Sequence, residues 1–251
     1  MDATRAYTGR NRDAWNQIAP RRTPEPAAFF AAGGSTLDEC EATALGDVTG
    51  RRILHLQCAS GNESLSWAAR GARVVGVDIS DVAIGLARER AAETGLSATF
   101  VVADVYDVPA ELTGFDIVYA SSGVVCWLPD LDRWARIVAG RLRPGGVFLL
   151  YEHHPVWEAT AAAPGGLRAA VDYFGRGTPV SGLDVSRRPG AAAPDTPLVS
   201  FLWPLGDVVT ALVRAGLRLD LLAEHPEPRM YGDGPTAGWL PAAYLVRAVL
   251  E

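Results

Sequence analysis

Ile53-Leu54-His55-Leu56-Gln57-Cys58-Ala59-Ser60-Gly61-Asn62-Glu63 runs from an apolar, strand-like segment through a turn of small residues into a stretch with helical spacing. Such a turn lets backbone approach a ligand and aims the N–H groups of the following helix at it. Outward from this stretch, short β-branched runs alternate with helical segments between residues 51 and 153, the pattern of βαβ units feeding a parallel sheet. Strands are predicted at Arg52–Leu56, Arg73–Asp78, Thr99–Ala103, Phe115–Ala120 and Val147–Tyr151, and their near-continuous apolar character suits burial on both faces. Helices are predicted at Glu63–Arg70, Asp81–Thr94 and Asp130–Arg141, with Arg143-Pro144-Gly145-Gly146 as a turn into the next strand. Later, Leu205, Val208, Val209 and Leu212 recur at i, i+3, i+4, i+7 in a helix that Gly216 stops, and Leu217–Ala223 and Tyr244–Val249 supply two more strands. The fold class is α/β and doubly wound.

Composition narrows the chemistry. All 23 basic residues among the 251 are arginine, so a lysine Schiff base, a lysine general base and a P-loop lysine are excluded. Cys40, Cys58 and Cys126 make no CxxC pair or Cys/His cluster, and neither a disulfide framework nor a metal site is expected. A net charge of −6 without a long basic run lacks the footprint of a nucleic-acid binder. No apolar run is long enough for a membrane helix and the N-terminus is polar, so the expectation is a soluble, cytoplasmic protein with a small molecule as its partner. Monomer, homodimer and association with a partner protein remain the open states.

Asp78 ends the second predicted strand, where a carboxylate can accept both hydroxyls of a ribose, and Asp104 ends the third in the same way. Two acids at successive strand ends, beside a small-residue turn, describe a nucleoside-shaped crevice. A dinucleotide would ask for G-x-G-x-x-G, but the frame 57, 59, 62 holds Gln, Ala and Asn.

Ile53–Gly61, Val77-Asp78, Ala103-Asp104-Val105, Phe115-Asp116-Ile117-Val118 and Leu142-Arg143-Pro144-Gly145-Gly146 together resemble the ordered motif series of class I S-adenosylmethionine (SAM)-dependent methyltransferases. Within that superfamily, His55-Leu56-Gln57-Cys58, the stretch 123–131 and Glu152-His153-His154-Pro155 are similar to a bacterial subgroup. The resemblance implies a Rossmann-like, mostly parallel seven-stranded sheet with its last strand antiparallel, and SAM as cofactor. It implies Gln57, Cys58, Ala59, Gly61, Asp78, Ile79, Asp104, Val105 and Ser121 against that cofactor. The sequence departs from the family's Asp-x-Gly-x-Gly-x-Gly, which becomes His55-x-Gln57-x-Ala59-x-Gly61. The acid that helps to hold the ligand's ammonium group is therefore replaced, with Gln57 as a substitute polar contact.

The expected organisation is an N-terminal helical cap over 1–50, a SAM-binding domain over 51–154 and 204–251, and an insertion or lid over 155–203. Methyl transfer requires alignment, exclusion of water and a base only where the acceptor loses a proton. Strand alternation lets one of His153 and His154 face the crevice, and His154 is taken as the base because His-Pro matches the subgroup. Glu152 is expected to orient a histidine or recognise a substrate amine. Trp15 and Tyr7 share a helical stripe with Asn11 and, with Trp127 and His153, are expected around the substrate; Trp203, His225 and Tyr231 are candidates for its far side. The expected activity is methyl transfer to an oxygen or nitrogen of a small molecule, in specialised-metabolite biosynthesis. The rivals are a non-methylating reaction on the same fold, such as a cyclisation, and a catalytically silent partner subunit.

Overall fold

The structure is a computed structural model that describes residues 3–22, 24–121, 123–164, 166–181, 194–226, 228–231 and 238–251. Three helices precede the first strand: α1 (Ala3–Ile18), α2 (Ala27–Ala31) and α3 (Glu39–Leu45). Asp38 starts α3 through a capping box, its side chain accepting from Cys40 N while Glu41 Oε2 accepts from Asp38 N at 2.8 Å. The alternating core follows as β1 (Arg52–Leu56), α4 (Asn62–Ala69), β2 (Arg73–Asp78), α5 (Asp81–Thr94), β3 (Ala98–Val102), β4 (Phe115–Ser121), α6 (Leu131–Arg141) and β5 (Leu142–His153). Then come α7 (Pro155–Ala159), the hairpins β6 (Thr160–Ala163) with β7 (Gly166–Ala169) and β8 (Pro179–Ser181) with β9 (Val199–Phe201), α8 (Leu205–Arg214), β10 (Leu217–His225), α9 (Pro228–Tyr231) and β11 (Ala243–Leu250).

Seven strands form one sheet in the order β10-β11-β5-β4-β1-β2-β3, parallel except for β11, which runs antiparallel to both neighbours. This is the doubly wound, mostly parallel Rossmann-like sheet that the sequence led us to expect. Period-two alternation along β1 sends Leu54 and Leu56 to one face and Ile53 to the other. On the first face α6 and α8 cover the sheet, with Trp134 edge-on to Phe148 at 5.6 Å. On the second, α4 sets Trp67 edge-on against Tyr119 at 5.6 Å. The helices α4, α6 and α8 thus each bury apolar residues against a strand face.

One local reading shifts. Arg143-Pro144-Gly145-Gly146, predicted as a turn, lies within β5 as a bulge: Phe115 pairs with Leu142 and Ile117 with Val147, so four residues stand opposite Asp116 alone. Gly145 there has φ 72°, and Arg143 Nε donates to Asp116 Oδ1 at 2.7 Å.

The turn after β1 has an unusual backbone. Gln57 and Ala59 have φ of 57° and 46°, beside Gly61 at 82°. Left-handed backbone costs a residue with a Cβ about 1 to 2 kcal/mol, which glycine avoids. Ala59→Gly should accordingly raise stability by about 0.5 to 1 kcal/mol, because the strain removed exceeds the extra chain entropy of glycine. Gly61→Ala should lower it by about 1 to 3 kcal/mol, since a Cβ there would stand 2.8 Å from the Phe100 ring. Denaturant melts of both variants check the pair; a loss for Ala59→Gly would show that the turn is unstrained.

Candidate active site

A cavity of about 590 Å³ opens at the carboxyl ends of β1, β2, β3 and β4, where open α/β sheets bind ligands. Its floor is the β1 turn. Asp78 Oδ2 accepts from Ala59 N at 2.8 Å and Asp78 Oδ1 from Ser80 N at 2.8 Å, so one carboxylate ties the turn to the start of α5. Burial pushes the Asp78 carboxyl above its usual range, and these N–H bonds pull against that. Each carboxylate oxygen keeps a second lone pair, which leaves acceptor capacity for a diol. Asp104 lines the cavity after β3 and accepts from Tyr106 N at 3.0 Å through Oδ1.

Gln57, Cys58, Ala59, Asp78, Ile79, Asp104, Val105 and Ser121 all line this cavity. Gly61 does not; it is the left-handed N-cap of α4, packed against Phe100. Gln57 Nε2 donates to Val124 O at 3.1 Å, while its Oε1 is buried and accepts nothing among the described residues. His55, the replacement for the family's acid, borders the cavity from beneath the turn, with Nδ1 2.8 Å from Ser64 Oγ. Burial drives its pKa down to about 3, so it is neutral at pH 7 and supplies no charge.

The expected catalytic pair lies elsewhere. Glu152 accepts from four backbone N–H groups: Gly123 (2.6 Å), Val124 (2.7 Å), Val125 (2.8 Å) and His153 (2.6 Å). It is a fully engaged, buried anchor that pins the loop after β4 to the end of β5. His154 points outside the cavity, its Nδ1 accepting from Val156 N to cap α7 and its Nε2 2.9 Å from Glu224 Oε1. Alternation holds with the opposite phase: Tyr151 and His153 face the cavity, and Glu152 and His154 face away. The His-Pro pair reflects helix capping, since proline at the first helical position and an acceptor before it start α7.

His153 stacks edge-on against Trp157 at 5.1 Å and places Nδ1 3.7 Å from Glu158 Oε1. Trp157 donates from Nε1 to Met230 O at 2.7 Å and closes the far end. Trp15 and Trp127 line the near side and meet edge-on at 5.5 Å. Tyr7 is turned away onto Phe201. Trp203, His225 and Tyr231 are also absent from the lining: Trp203 Nε1 donates to Leu128 O, His225 packs on Tyr151, and Tyr231 Oη donates to Pro241 O. Sequence reasoning missed Glu63 and Arg22, which both line the cavity, and Glu158 behind His153. Among the described residues no cluster of side chains suits a metal, and no helix is long and apolar enough to cross a membrane.

The methyltransferase-domain family matches residues 53–146, from β1 into the bulge of β5. A ubiquinone biosynthesis O-methyltransferase from Xanthomonas oryzae is 32% identical over 133 residues, 53% of this chain and 55% of that protein. A sterol 4-C-methyltransferase from Caenorhabditis elegans is 32% identical over 101 residues, 39% of this chain and 30% of that protein. The chain thus spans about half the length, or less, of these curated relatives. The structure of an SAM-dependent methyltransferase from Mesorhizobium loti superposes with a TM-score of 0.65 at 24% identity, covering 84% of this chain and 95% of that one. Sheet order and the match over residues 53–146 together make this chain similar to class I SAM-dependent methyltransferases.

If Glu152 is an anchor, Glu152→Ala leaves four N–H groups without their acceptor and should cost more than about 3 kcal/mol in a denaturant melt. A purely catalytic role would leave the melt unchanged. Behind the site, Tyr119 Oη donates to Glu41 Oε1, and burial raises the Glu41 pKa to about 7 from its ordinary 4.5. The folded state therefore holds this proton more tightly than the unfolded chain. That contribution is complete below about pH 4.5 and lost as pH rises through 7, amounting to about 3 kcal/mol. Comparing wild-type and Glu41→Gln melts across pH 4 to 8 checks this, the variant lacking that part of the slope.

Proposed function

We propose that the protein transfers a methyl group from SAM to an oxygen or nitrogen atom of a small molecule, with His153 as the base. The observation that carries the reading is one cavity holding both a nucleoside-type floor at Asp78 and a histidine with an aromatic wall at its far end. The residues present suit SAM: Asp78 for the ribose hydroxyls, Asp104 and Val105 for the adenine, and the open turn Gln57–Ser60 for the sulfur side. When bound, SAM supplies an electrophilic methyl group on a sulfonium.

The chain's own residues do the rest. Trp127, Tyr151 and Trp157 exclude water and present an apolar wall to the acceptor. With Nδ1 turned toward Glu158, the other ring nitrogen of His153 is the one left to take a proton from a hydroxyl or amine. Oxygen acceptance agrees with the O-methyltransferase named above, and the C-methyltransferase marks how far acceptors range on this domain. The acceptor-facing residues Trp15, Trp157 and Met230 come from outside the family match, and the acceptor is read as a specialised metabolite. Three free cysteines suit a reducing cytoplasm.

Calorimetric titration with SAM and S-adenosylhomocysteine should show binding, and Asp78→Asn should weaken it at least tenfold. Labelled methyl from SAM should enter members of a panel of phenols, alcohols and amines. His153→Ala should lower kcat by about 10² to 10⁴ with product affinity within twofold of wild type. No binding at millimolar SAM would overturn the reading, and a product formed without S-adenosylhomocysteine would favour a non-methylating reaction.

A further inference from the structure

The cavity presents three carboxylates, Glu63, Asp78 and Asp104, and one guanidinium, Arg22, among its described lining residues. Asp78 and Asp104 stand at strand ends and are partly engaged by backbone N–H groups. Glu63 and Arg22 stand apart from them. Glu63 is in the first turn of α4, directly after the β1 turn, and Arg22 follows α1 and the short 3-10 turn Ala19–Arg21. Burial pushes the Glu63 carboxyl above its usual range, and the positive charges of Arg22 and Arg90 pull against that.

We propose that Glu63 and Arg22 form a clamp for an α-amino acid zwitterion, Glu63 taking the ammonium and Arg22 the carboxylate. The inference rests on the SAM reading above and adds residues that the altered motif leaves unassigned. A methionine-type end carries one positive and one negative group on the same carbon. A buried site must offer the opposite pair at similar spacing, or the desolvation of both charges goes uncompensated.

His55 cannot supply the anionic half. It stands where the family carries an acid, but it is neutral and bonded to Ser64 beneath the turn. Glu63 follows the same turn, in the first turn of α4, and lines the same cavity as His55. Arg90 supports it from behind: this side chain is 8% exposed, and its Nη1 donates to Asn62 Oδ1 at 2.5 Å and to Glu25 O at 3.2 Å. Arg90 lies outside the cavity, so it favours the ionised form of Glu63 while leaving the ligand-facing side to Arg22. Trp15, 5.4 Å from the Arg22 guanidinium, holds that cation over its ring on the cavity roof. The guanidinium fork suits bidentate recognition of a carboxylate.

The test compares ligands that share the nucleoside and differ at the amino-acid end. Wild type, Glu63→Gln and Arg22→Gln are titrated with S-adenosylhomocysteine, 5′-methylthioadenosine, which lacks the amino acid, and decarboxylated SAM, which keeps only the ammonium. Thermal melts accompany each variant. The expected result is at least a tenfold loss of S-adenosylhomocysteine affinity in each variant, with 5′-methylthioadenosine within twofold of wild type. Decarboxylated SAM should respond to Glu63→Gln but not to Arg22→Gln.

Variants that bind S-adenosylhomocysteine as wild type does would overturn the clamp and leave the SAM reading standing. An equal loss for S-adenosylhomocysteine and 5′-methylthioadenosine would also overturn it, since the two residues would then only shape the cavity. Wild-type protein that binds none of the three ligands would overturn the SAM reading and the clamp with it.

Discussion

The bond from Ala59 N to the Asp78 carboxylate is the constraint on which the site depends. The β1 turn must fold back sharply enough to leave backbone facing the cavity, and it does so through left-handed residues at 57, 59 and 61. Two of these carry side chains, so the conformation is held rather than freely adopted. Asp78 holds it from the neighbouring strand, Cys58 N donates to Val77 O at 3.0 Å, and Gln57 Nε2 reaches across to Val124 O. Those same bonds link the ends of β1, β2 and β4, the three strands whose tips form most of the cavity floor.

Glu152 supplies the second fixed point, and it shows why a buried carboxylate near a crevice need not be catalytic. Four short N–H bonds satisfy both oxygens and set the loop that carries Val124 and Trp127 into the cavity wall. The neighbour of Glu152 in the chain, His153, is left on the cavity side by the strand's alternation, with Glu158 behind it.

The central sheet was legible in sequence because its signal is periodic: apolar runs of strand length, ended by Gly95 after α5 and by the acids Asp78 and Asp104, leave few alternatives. The floor of the site was legible for the same reason, as residues at strand ends are placed by topology alone. The phase of the His153–His154 pair was not. The two adjacent histidines give alternation no internal mark, and the His-Pro pair caps α7. The anchoring of Glu152 was not legible because three of its four partners are backbone N–H groups 27 to 29 residues earlier in the chain, which no side-chain pattern reports. Glu63 and Arg22 were invisible for a third reason: charged residues near a helix start or a turn ordinarily face solvent, and only the roof laid over them makes these two line a cavity.

That roof ties the two ends of the site together. Asn11 on α1 donates to Val199 O and accepts from Val199 N, both at 2.8 Å, which docks the helix on β9 as though it were another strand edge. Five residues on, Asn16 accepts from Ser80 Oγ at 2.6 Å and donates to Asp81 Oδ1 at 2.7 Å, next to the Ser80 N–H that Asp78 holds. A single helix is thus bonded at one end to the strand segment of the 155–203 stretch and at the other to the start of α5, with Trp15 and Arg22 carried over the cavity. The family match spans 53–146, so α1 and β9 lie outside it while Ser80 and Asp81 lie within it. The matched segment supplies most of the cavity floor, whereas Trp15, Arg22, Trp157 and Met230 above it come from segments outside that match. The space above the floor is therefore shaped largely from outside the matched segment, and the chain's lack of lysine makes arginine the cationic side chain there, charged at any working pH.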